Sequence, residues 1–331
     1  MGDILHSMPA VTALRLAHPA WFIGWAIEPQ WRGLFCASEC APRTPGMPLV
    51  DQIHTVPAKQ WARAPLSQST WRAMGAVRRE LRAMRYDVAV DLQGAVRSAW
   101  FARWAGTGRV LGEAQPRESA AKWLFSERIE TLGVHVIEQS LEVVNAIAHE
   151  ELPMTMPLLP CDPAAEERAE RMKRPFVLMS PGAGWGAKRW PPERYGAVAR
   201  ELAKAGYAVV INSGPAEELL AQEIVTKSGG AAQALTHSMA DLIALTRRAS
   251  LAIAGDTGPL HLANALGVPV VGIFGPTDPA RNGPFHGRSR VLRHPESRRD
   301  HTRRSEPEAG LLTITPEAVT EAALSLLRGD A

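Results

Sequence analysis

The sequence has few of the features that mark secreted or membrane-spanning proteins. No uninterrupted apolar run approaches the ~20 residues that a membrane-spanning helix needs. The first residues lack a basic segment followed by an apolar stretch and a cleavage site, so we expect a cytoplasmic location. The three cysteines, Cys36, Cys40 and Cys161, are too few for a disulfide framework and are typical of a reducing compartment. Because no second Cys/His pair at zinc-finger spacing is present, we expect Cys36 and Cys40 to be ordinary thiols in a loop and not metal ligands.

The charge and the aromatic content further limit the class of protein. Charged residues make up 21% and hydrophobic residues 46% of the chain, which are the proportions of a soluble globular protein. The net charge of +3 and the pI near 8.9 are compatible with an anionic partner but identify none. Eight of the ten tryptophans lie in the first 150 residues. They would serve either to fill a core or to form a surface near lipid headgroups.

Short β-rich runs alternate with helical patterns, which predicts an α/β protein with parallel sheets. In the first half the pattern predicts strands at 21–27, 52–56, 86–92 and 109–112, and helices near 4–17, 69–84, 94–104 and 139–149. In the second half it predicts strands at 176–182, 207–214, 251–256 and 268–275, and helices at 191–205, 216–228, 238–248, 258–266 and after Thr315. Four prolines interrupt the alternation between 153 and 163. We therefore expect two Rossmann-like domains, 1–152 and 165–331, joined by a linker at 153–164.

The strongest chemical signal is AGDTGPLHLANALGVPVVGIFGPTDP at 254–279. Here a strand would end at Asp256, Thr257 and Gly258 would make a tight turn, and a helix would begin with proline in its first turn. The free backbone amides of this turn, through His261, would form a phosphate site together with the positive end of the helix dipole. The alternative is an ordinary turn in which Asp256 caps the helix and His261 is a packed histidine.

Two further strand ends carry matching chemistry. In SPGAGWGAKRWPPERY (180–195), the glycines would let the backbone approach a ligand, and Lys188 would supply a mobile positive charge for a diphosphate. In NSGPAEE (212–218), Glu217 would accept hydrogen bonds from ribose hydroxyls, or would merely be a favourable acidic residue in a first helical turn. Together the three loops predict a site for a nucleotide diphosphate. The G-x-G-x-x-G fingerprint of dinucleotide-binding dehydrogenases is absent.

The order of the motifs resembles a known family. Glycosyltransferase family 9, the ADP-heptose:lipopolysaccharide heptosyltransferases, has the same succession of GDILHSMPAVTAL, DVAVDLQGAVRSA, GAGWGAKRWPPERY, INSGPAEE and GDTGPLHLANALGVPVVGIFGPTDP, over nearly the whole chain. The segments KQWAR (59–63), DLQGAVRSA and PRESAAKWLF (116–125) are most similar to the heptosyltransferase I subgroup. The resemblance implies a B-type glycosyltransferase fold, in which two Rossmann-like domains face a cleft.

The resemblance also implies an activity and the residues that carry it. The enzyme would move heptose from ADP-heptose to a Kdo residue of the lipopolysaccharide inner core (Kdo-lipid A) with inversion, without a cofactor or an obligatory metal. Asp3 would be the general base, and Lys188 would stabilise the diphosphate as it leaves. The donor-binding residues would be Glu217, Asp256, Thr257, Gly258 and His261.

The resemblance places the acceptor on the first domain. The basic residues that would meet its carboxylates and phosphates are Lys59, Arg63, Arg97 and Arg117. Such an enzyme would be peripheral on the cytoplasmic face of the inner membrane and would have no nucleic-acid partner. Two alternatives stay open: a family member that adds a later heptose or another sugar to a lipid-linked core, and a non-catalytic nucleotide-binding protein.

Two segments depart from the family pattern. In the family a β-strand and a short turn precede the opening Gly-Asp, whereas only Met1 precedes it here. That strand lies in the middle of the first domain's sheet, so we expect the natural chain to begin roughly ten residues upstream. The second segment holds eight arginines between Arg281 and Arg304. It would be either a solvated loop or a patch that faces lipid.

Overall fold

The computed structural model describes residues 1–38, 40–214, 216–297 and 306–329. It divides into two compact units: His6–Pro160, called here the N-terminal unit, and Cys161–Ala331 together with Met1–Leu5, called the C-terminal unit. The sequence predicts domains at 1–152 and 165–331. The observed division falls inside the predicted linker between them, and the first five residues group with the C-terminal unit.

The strands described in the N-terminal unit form two small parallel sheets. β1 (Gly24–Ile27) pairs with β2 (Gln52–Thr55), whereas β3 (Val88–Asp91), β4 (Arg109–Glu113) and β5 (Glu127–Ile129) lie side by side in that order. The helices are α1 (Gly2–Ala17), α2 (Ala58–Arg63), α3 (Gln68–Ala83), α4 (Val96–Trp104) and α5 (Val136–Ala148), with 3₁₀ helices at Pro29–Leu34 and Ser119–Leu124. Parallel strands need crossover connections, which contain the first 3₁₀ helix between β1 and β2, α4 between β3 and β4, and the second 3₁₀ helix between β4 and β5.

The third helix shows how the sequence specifies an element of this unit. Ser67 caps α3, because its hydroxyl accepts a hydrogen bond from the Thr70 amide at 3.1 Å. The buried residues that follow, Val77 and Leu81, recur at four-residue spacing and pack with Trp61 of α2 in one apolar cluster. α3 is therefore held by one face, and its opposite face is exposed to solvent.

The C-terminal unit contains one six-stranded parallel sheet. Its strands are β6 (Phe176–Ser180), β7 (Ala208–Ser213), β8 (Ala232–Thr236), β9 (Leu251–Gly255), β10 (Val270–Phe274) and β11 (Ser289–Arg293), in the order β11-β10-β9-β6-β7-β8. Its helices are α6 (Pro163–Glu170), α7 (Pro192–Lys204), α8 (Glu218–Lys227), α9 (Met239–Arg248), α10 (Gly258–Ala265), α11 (Pro279–Asn282) and α12 (Pro316–Arg328). Every residue of β6, β9 and β10 is buried, as parallel strands covered on both faces require. No helix of the described ranges has the length and apolar character to cross a bilayer.

Three strands have no counterpart in the sequence-based prediction: β5, β8 and β11. Each lies at the edge of its sheet. Edge strands are partly solvated and carry polar residues, as in ERI for β5 and SRVLR for β11, so the apolar runs that mark inner strands are missing. The prediction therefore recovers every inner strand and misses three of the edge strands.

The prediction for the cysteines is wrong. Cys36 and Cys40 form a disulfide with their Cα atoms 6.3 Å apart, whereas Cys161 is a free thiol. The physical reason is the path of the loop, which doubles back so that the Ala37 amide donates a 2.8 Å hydrogen bond to the Gly46 carbonyl. Spacing along the chain does not reveal such a fold-back.

Candidate active site

The strand order of the C-terminal unit brings two predicted motifs together. β6 and β9 are neighbours in the sheet, with Ser180 paired to Ala254 at their carboxyl ends. In open α/β sheets, ligands bind where neighbouring strands lead into separate connections. The loop after β6 carries Lys188 and the turn after β9 carries Asp256, so the two side chains meet at this edge.

Lys188, which is partly buried, and Asp256, which is buried, form an ion pair. Lys188 Nζ lies 2.5 Å from Asp256 Oδ2, and Asp256 Oδ1 lies 3.0 Å from His261 Nε2. Burial alone would raise the pKa of Asp256, but the hydrogen bonds and charges of His261 and Lys188 outweigh it and hold the pKa well below its ordinary value. Asp256 is therefore an anion that fixes Lys188 and orients His261. Among the described residues, no group of three or more His, Cys, Asp or Glu is arranged to hold a metal ion.

The N-terminus of α10 lies beside this ion pair. Thr257 is its N-cap residue, and the Thr257 side chain does not cap the helix. The alternative in which Asp256 caps the helix is not observed, because its carboxylate binds the two side chains described above. The amides of Leu260 and His261 donate to the Thr257 carbonyl, which corrects the expectation that all amides through His261 are free. The amides of Thr257 and Gly258 have no acceptor among the described residues.

Glu217 lies at the next strand end and is the N-cap residue of α8. Its carboxylate accepts a 3.3 Å hydrogen bond from the Gly214 amide. It also approaches Gly182 so closely that a Cβ added there would lie 2.1 Å from Glu217 Oε1. A side chain at position 182 would therefore displace the Glu217 carboxylate from its place beside the loop after β6. Pro215, in the second of these loops, lies outside the described residues.

The structure places Asp3 in the first turn of α1, which begins at Gly2, two residues earlier than the sequence predicts. A Cβ added to Gly2 would lie 3.2 Å from His261 Cδ2, and one added to Gly258 would lie 2.5 Å from Met1 Sδ. The start of α1 therefore packs against the start of α10. Asp3 belongs to the same unit as Lys188 and Asp256.

Arg97 and Arg117 come close together in the N-terminal unit. Arg97 lies in the first turn of α4, Arg117 follows β4, and both side chains are exposed. The Glu118 amide donates a 2.8 Å hydrogen bond to the Gly94 carbonyl, and a Cβ added to Gly94 would lie 2.8 Å from Arg117 N. Gly94 has φ +65°, a conformation that favours glycine. This junction brings both arginines to the carboxyl edge of β3 and β4.

Lys59 and Arg63 lie on α2, which follows β2. Both residues are exposed, and the Lys59 amide donates a 3.0 Å hydrogen bond to Glu28 Oε1. Trp61 ties this helix to α4, since its ring centroid lies 6.1 Å from that of Phe101. All four basic residues predicted for the acceptor thus lie on exposed positions of the N-terminal unit.

Asp91 and Trp185 also lie at these strand ends, although the sequence pattern assigns them no role. Asp91 ends β3, and its Oδ1 accepts a 2.9 Å hydrogen bond from the Gln93 amide. Burial raises the pKa of this carboxyl, although its hydrogen bonds and the charge of Arg117 act in the opposite direction. The Trp185 ring centroid lies 4.6 Å from Lys188 Nζ, a cation–π contact. Two features of the sequence could have identified these residues. Asp91 is an acidic residue at the end of a strand, and Trp185 is an aromatic residue three positions before Lys188.

The arginine-rich stretch at 281–304 is described only in part, because 298–305 lie outside the described residues. Where it is described, two arginines bind backbone carbonyls of their own unit. Arg288 Nη1 donates to the Leu326 carbonyl at 3.2 Å, and Arg293 Nη2 donates to the Ser297 carbonyl at 2.6 Å. These two side chains stabilise the unit, and the role of the rest of the stretch stays a prediction.

Known proteins match the chain over most of its length. The model of glycosyltransferase family 9 (heptosyltransferase) matches residues 74–311. The chain is 27% identical to lipopolysaccharide heptosyltransferase 1 of Pseudomonas aeruginosa, over 88% of this chain and 80% of that protein. It is also 27% identical to lipopolysaccharide heptosyltransferase 2 of Salmonella typhimurium, over 99% of this chain and 96% of that protein.

Solved structures share the fold. E. coli heptosyltransferase WaaC with ADP has a TM-score of 0.78 at 23% identity, covering 97% of this chain and 95% of that chain. A glycosyltransferase of family 9 from Veillonella parvula has a TM-score of 0.80 at 21% identity, covering 100% of this chain and 95% of that chain. The predicted α/β fold of the B-type glycosyltransferases is confirmed, whereas the strand expected upstream of Met1 stays a prediction. Because the family model matches well over half of the sequence, the chain belongs to glycosyltransferase family 9, the heptosyltransferases.

Proposed function

We propose that this glycosyltransferase moves heptose from ADP-heptose to a Kdo residue of the lipopolysaccharide inner core, with inversion at the anomeric carbon. The observation that carries the proposal is the meeting of three features in the C-terminal unit. The start of α1, with Asp3, packs against the start of α10, and α10 begins beside the Lys188–Asp256 ion pair. A base and a diphosphate site are thus held in one compact unit.

On the donor side, the Lys188 ammonium and the amides of Thr257 and Gly258 would bind the diphosphate of ADP-heptose. A helix N-terminus and a lysine both stabilise negative charge, which grows on ADP as the bond to the sugar breaks. Asp256 would act through Lys188, since it holds the ammonium in place by the 2.5 Å contact. The Glu217 carboxylate, fixed by the Gly214 amide, would accept hydrogen bonds from the ribose hydroxyls.

On the acceptor side, Asp3 would act as the general base. The acceptor hydroxyl oxygen attacks the anomeric carbon of heptose, its proton passes to the Asp3 carboxylate, and the bond from that carbon to the diphosphate breaks. One displacement of this kind inverts the configuration of the anomeric carbon. ADP leaves with the electron pair of the broken bond.

The basic residues of the N-terminal unit would bind the acceptor. Arg97 and Arg117 share the carboxyl edge of β3 and β4, where two planar guanidinium groups suit the carboxylates of Kdo and the phosphates of lipid A. Lys59 and Arg63 on α2 would add positive charge to the same unit. Because this acceptor is anchored in a bilayer, we also propose a peripheral location on the cytoplasmic face of the inner membrane.

The nearest alternative is transfer of a later heptose to the same core. The curated relatives of both the first and the second heptosyltransferase type are 27% identical to this chain, so identity does not separate the two acceptors. Our preference for the first heptose follows from the KQWAR and PRESAAKWLF segments. A non-catalytic nucleotide-binding protein is the second alternative.

The test is a transfer assay with purified protein and two acceptors. One acceptor is Kdo-lipid A, and the other is Kdo-lipid A that already carries the first heptose. We expect ADP-heptose to add one heptose to the first acceptor, seen by mass spectrometry, and to leave the second unchanged. Addition only to the second acceptor would establish the later-heptose alternative. ADP binding without any transfer would establish the non-catalytic one.

A further inference from the structure

One face of the N-terminal unit is built from four elements that pack side by side. α4 contacts both α3 and the 3₁₀ helix Ser119–Leu124. Trp61 of α2 contacts Phe101 and Trp104 of α4, and α3 joins the same apolar cluster through Val77. We call these elements, residues 58–128 with the strands they cover, the helical layer.

The layer exposes tryptophans on its outer side. Trp71 of α3 is 61% exposed, Trp100 of α4 is 52% exposed, and Trp123 of the 3₁₀ helix is 72% exposed. Trp61, in the same layer, is 7% exposed, so the layer has a filled core that does not need the other three rings. Burying a large ring is strongly favourable, and leaving three of them in water on adjacent elements marks an interaction surface.

Each exposed ring lies beside positive charge. On α3, Arg78 and Arg82 follow Trp71 by seven and eleven residues, which places them on the same side of the helix, and both are exposed. The Trp123 ring centroid lies 5.0 Å from the Arg128 guanidinium carbon and 5.5 Å from Lys122 Nζ.

Helix α4 also combines an exposed tryptophan with basic residues. Arg97, Trp100 and Arg103 follow one another at three-residue spacing along α4, and all three are exposed. An exposed tryptophan accompanied by basic residues therefore recurs on neighbouring elements. Such side chains have an apolar body and a polar or charged tip, which suits a boundary between water and an apolar phase.

Net charge concentrates in the same stretch. Residues 58–128 hold thirteen Lys and Arg against six Asp and Glu, a net charge of +7, whereas the whole chain has a net charge of +3. All residues outside the stretch therefore sum to −4. The layer is a concentrated source of positive charge, and it would attract an anionic surface over a distance of about one Debye length.

We propose that the helical layer docks onto an anionic lipid bilayer, with Trp71, Trp100 and Trp123 inserted at the level of the headgroups. Tryptophan is favoured at the level of the headgroups, and the net charge of +7 in this stretch suits an anionic bilayer surface. The inference deepens the proposed function and rests on it, because a lipid-anchored acceptor must be reached at a membrane. Arg97, proposed to bind that acceptor, lies on the same helix as Trp100, so docking brings the acceptor-binding edge to the lipid surface.

The first experiment measures co-sedimentation of the purified protein with vesicles that contain no acceptor. We expect binding to phosphatidylglycerol–phosphatidylcholine vesicles, weak binding to pure phosphatidylcholine, and release at high salt. The variant W71A/W100A/W123A should bind the anionic vesicles at least about tenfold more weakly, because the affinity for a membrane scales with the apolar area inserted into it. The matched control W21A/L219A/L312A removes three exposed large apolar side chains outside the layer and should bind like the wild type.

A second pair of variants tests the charge. R78E/R103E reverses two exposed arginines of the layer and should weaken binding about tenfold or more, since each basic residue near an anionic surface contributes to attraction. R171E reverses an exposed arginine of the C-terminal unit, with a side chain that is 73% exposed, and should have little effect. Thermal unfolding midpoints of all four variants should match the wild type.

Three results would overturn the inference. They are no binding of the wild type to anionic vesicles, equal binding by the triple tryptophan variant, or a change in that variant from oligomer to monomer on gel filtration, which would identify the layer as a protein interface. Heptose transfer to deacylated Kdo-lipid A, a water-soluble acceptor, separates this inference from the proposed function. The triple variant should keep that activity while losing vesicle binding, whereas a wild type that lacks it would refute the proposed function alone.

Discussion

The C-terminal unit carries its described strands in one six-stranded sheet, whereas the N-terminal unit distributes five between two sheets. The charges differ in the same way. In the C-terminal unit, the partly buried Lys188 and the buried Asp256 are paired at the end of a fully buried strand. In the N-terminal unit, Arg97 and Arg117 are exposed at the end of a small sheet.

The two units are suited to different ligands, a nucleotide diphosphate and a lipid-anchored acceptor. A nucleotide diphosphate is small and has a fixed geometry, so buried and preorganised groups on a rigid sheet suit it. A lipid-anchored acceptor is large and lies at a surface, so exposed arginines and tryptophans suit it.

The largest expected effect is on catalysis, at Asp3, one of the first five residues that group with the C-terminal unit. Asp3→Ala should lower kcat about 10²–10⁴-fold, because the acceptor hydroxyl loses its general base. ADP affinity, measured by calorimetry, should stay unchanged. Asp87→Ala, which removes an exposed carboxylate of the N-terminal unit, serves as the control. Near wild-type turnover of Asp3→Ala would show that another group accepts the proton.

The N-terminal unit has a buried ion network of its own, to which we assign no role in acceptor binding. Asp51 accepts hydrogen bonds from Arg15 Nη2 at 2.5 Å, Arg43 Nε at 2.6 Å and the Ile23 amide at 2.8 Å. Asp51→Asn should lower the free energy of unfolding by about 3–5 kcal/mol in urea titrations, because it leaves the buried Arg15 guanidinium without its counter-charge.

A matched exposed pair gives the control for this network. Arg109 Nε lies 2.7 Å from Glu127 Oε1, with both side chains about 40% exposed. Glu127→Gln should cost less than about 1 kcal/mol, since solvent screens an exposed ion pair. Equal losses for Asp51→Asn and Glu127→Gln would contradict the importance of the buried network.

Core truncations compare the two units directly. Leu178→Ala in β6 and Leu111→Ala in β4 each empty a buried site of an inner strand and should cost about 2–5 kcal/mol in the unit concerned. In calorimetric scans, ADP should raise the unfolding temperature of the unit weakened by Leu178→Ala and leave that weakened by Leu111→Ala unchanged. An equal response of both units to ADP would contradict the proposal that ADP binds to the C-terminal unit alone.

The smallest predicted effect is the pH dependence of the C-terminal unit. Burial alone would raise the pKa of Asp256, but His261 and Lys188 hold it below the ordinary value of about 4, so the unfolded chain binds a proton that the folded one does not. The free energy of unfolding should therefore decrease as the pH falls from about 5 to 3. Lys188→Ala should show a shallower decrease in the same urea titrations. A steeper decrease would contradict the ion pair as its cause.

The strands that the sequence predicts most clearly are the inner strands of the C-terminal sheet, for a physical reason. β6, β9 and β10 are continuous apolar runs, because helices cover both faces of the inner strands. β5, β8 and β11 lie at edges, and their polar residues remove that signal. The α/β class and the inner strands can be predicted from the local sequence pattern. A polar edge strand cannot, because it forms by pairing with its neighbouring strand.

Within the site, the loops are predictable and their contacts are not. Lys188 and Asp256 both follow predicted strands, and each is expected to serve the phosphate. Their mutual ion pair joins positions 68 residues apart and depends on the crossover that makes β6 and β9 neighbours. The disulfide between Cys36 and Cys40 has the same character, because the path of a loop decides it. For the tryptophans of the first 150 residues the sequence leaves two alternatives; Trp61 is buried in a core, whereas Trp123 is exposed, and a role near lipid stays a proposal.

The most direct test of the division between the units is calorimetric measurement of ADP affinity for Lys188→Ala and Arg97→Ala side by side. Lys188→Ala removes a charged hydrogen-bond donor from the diphosphate site and should weaken ADP binding about 10–100-fold. Arg97→Ala should leave ADP affinity unchanged and raise KM for the Kdo acceptor. Equal weakening of ADP binding by both substitutions, or no weakening by Lys188→Ala, would contradict the account.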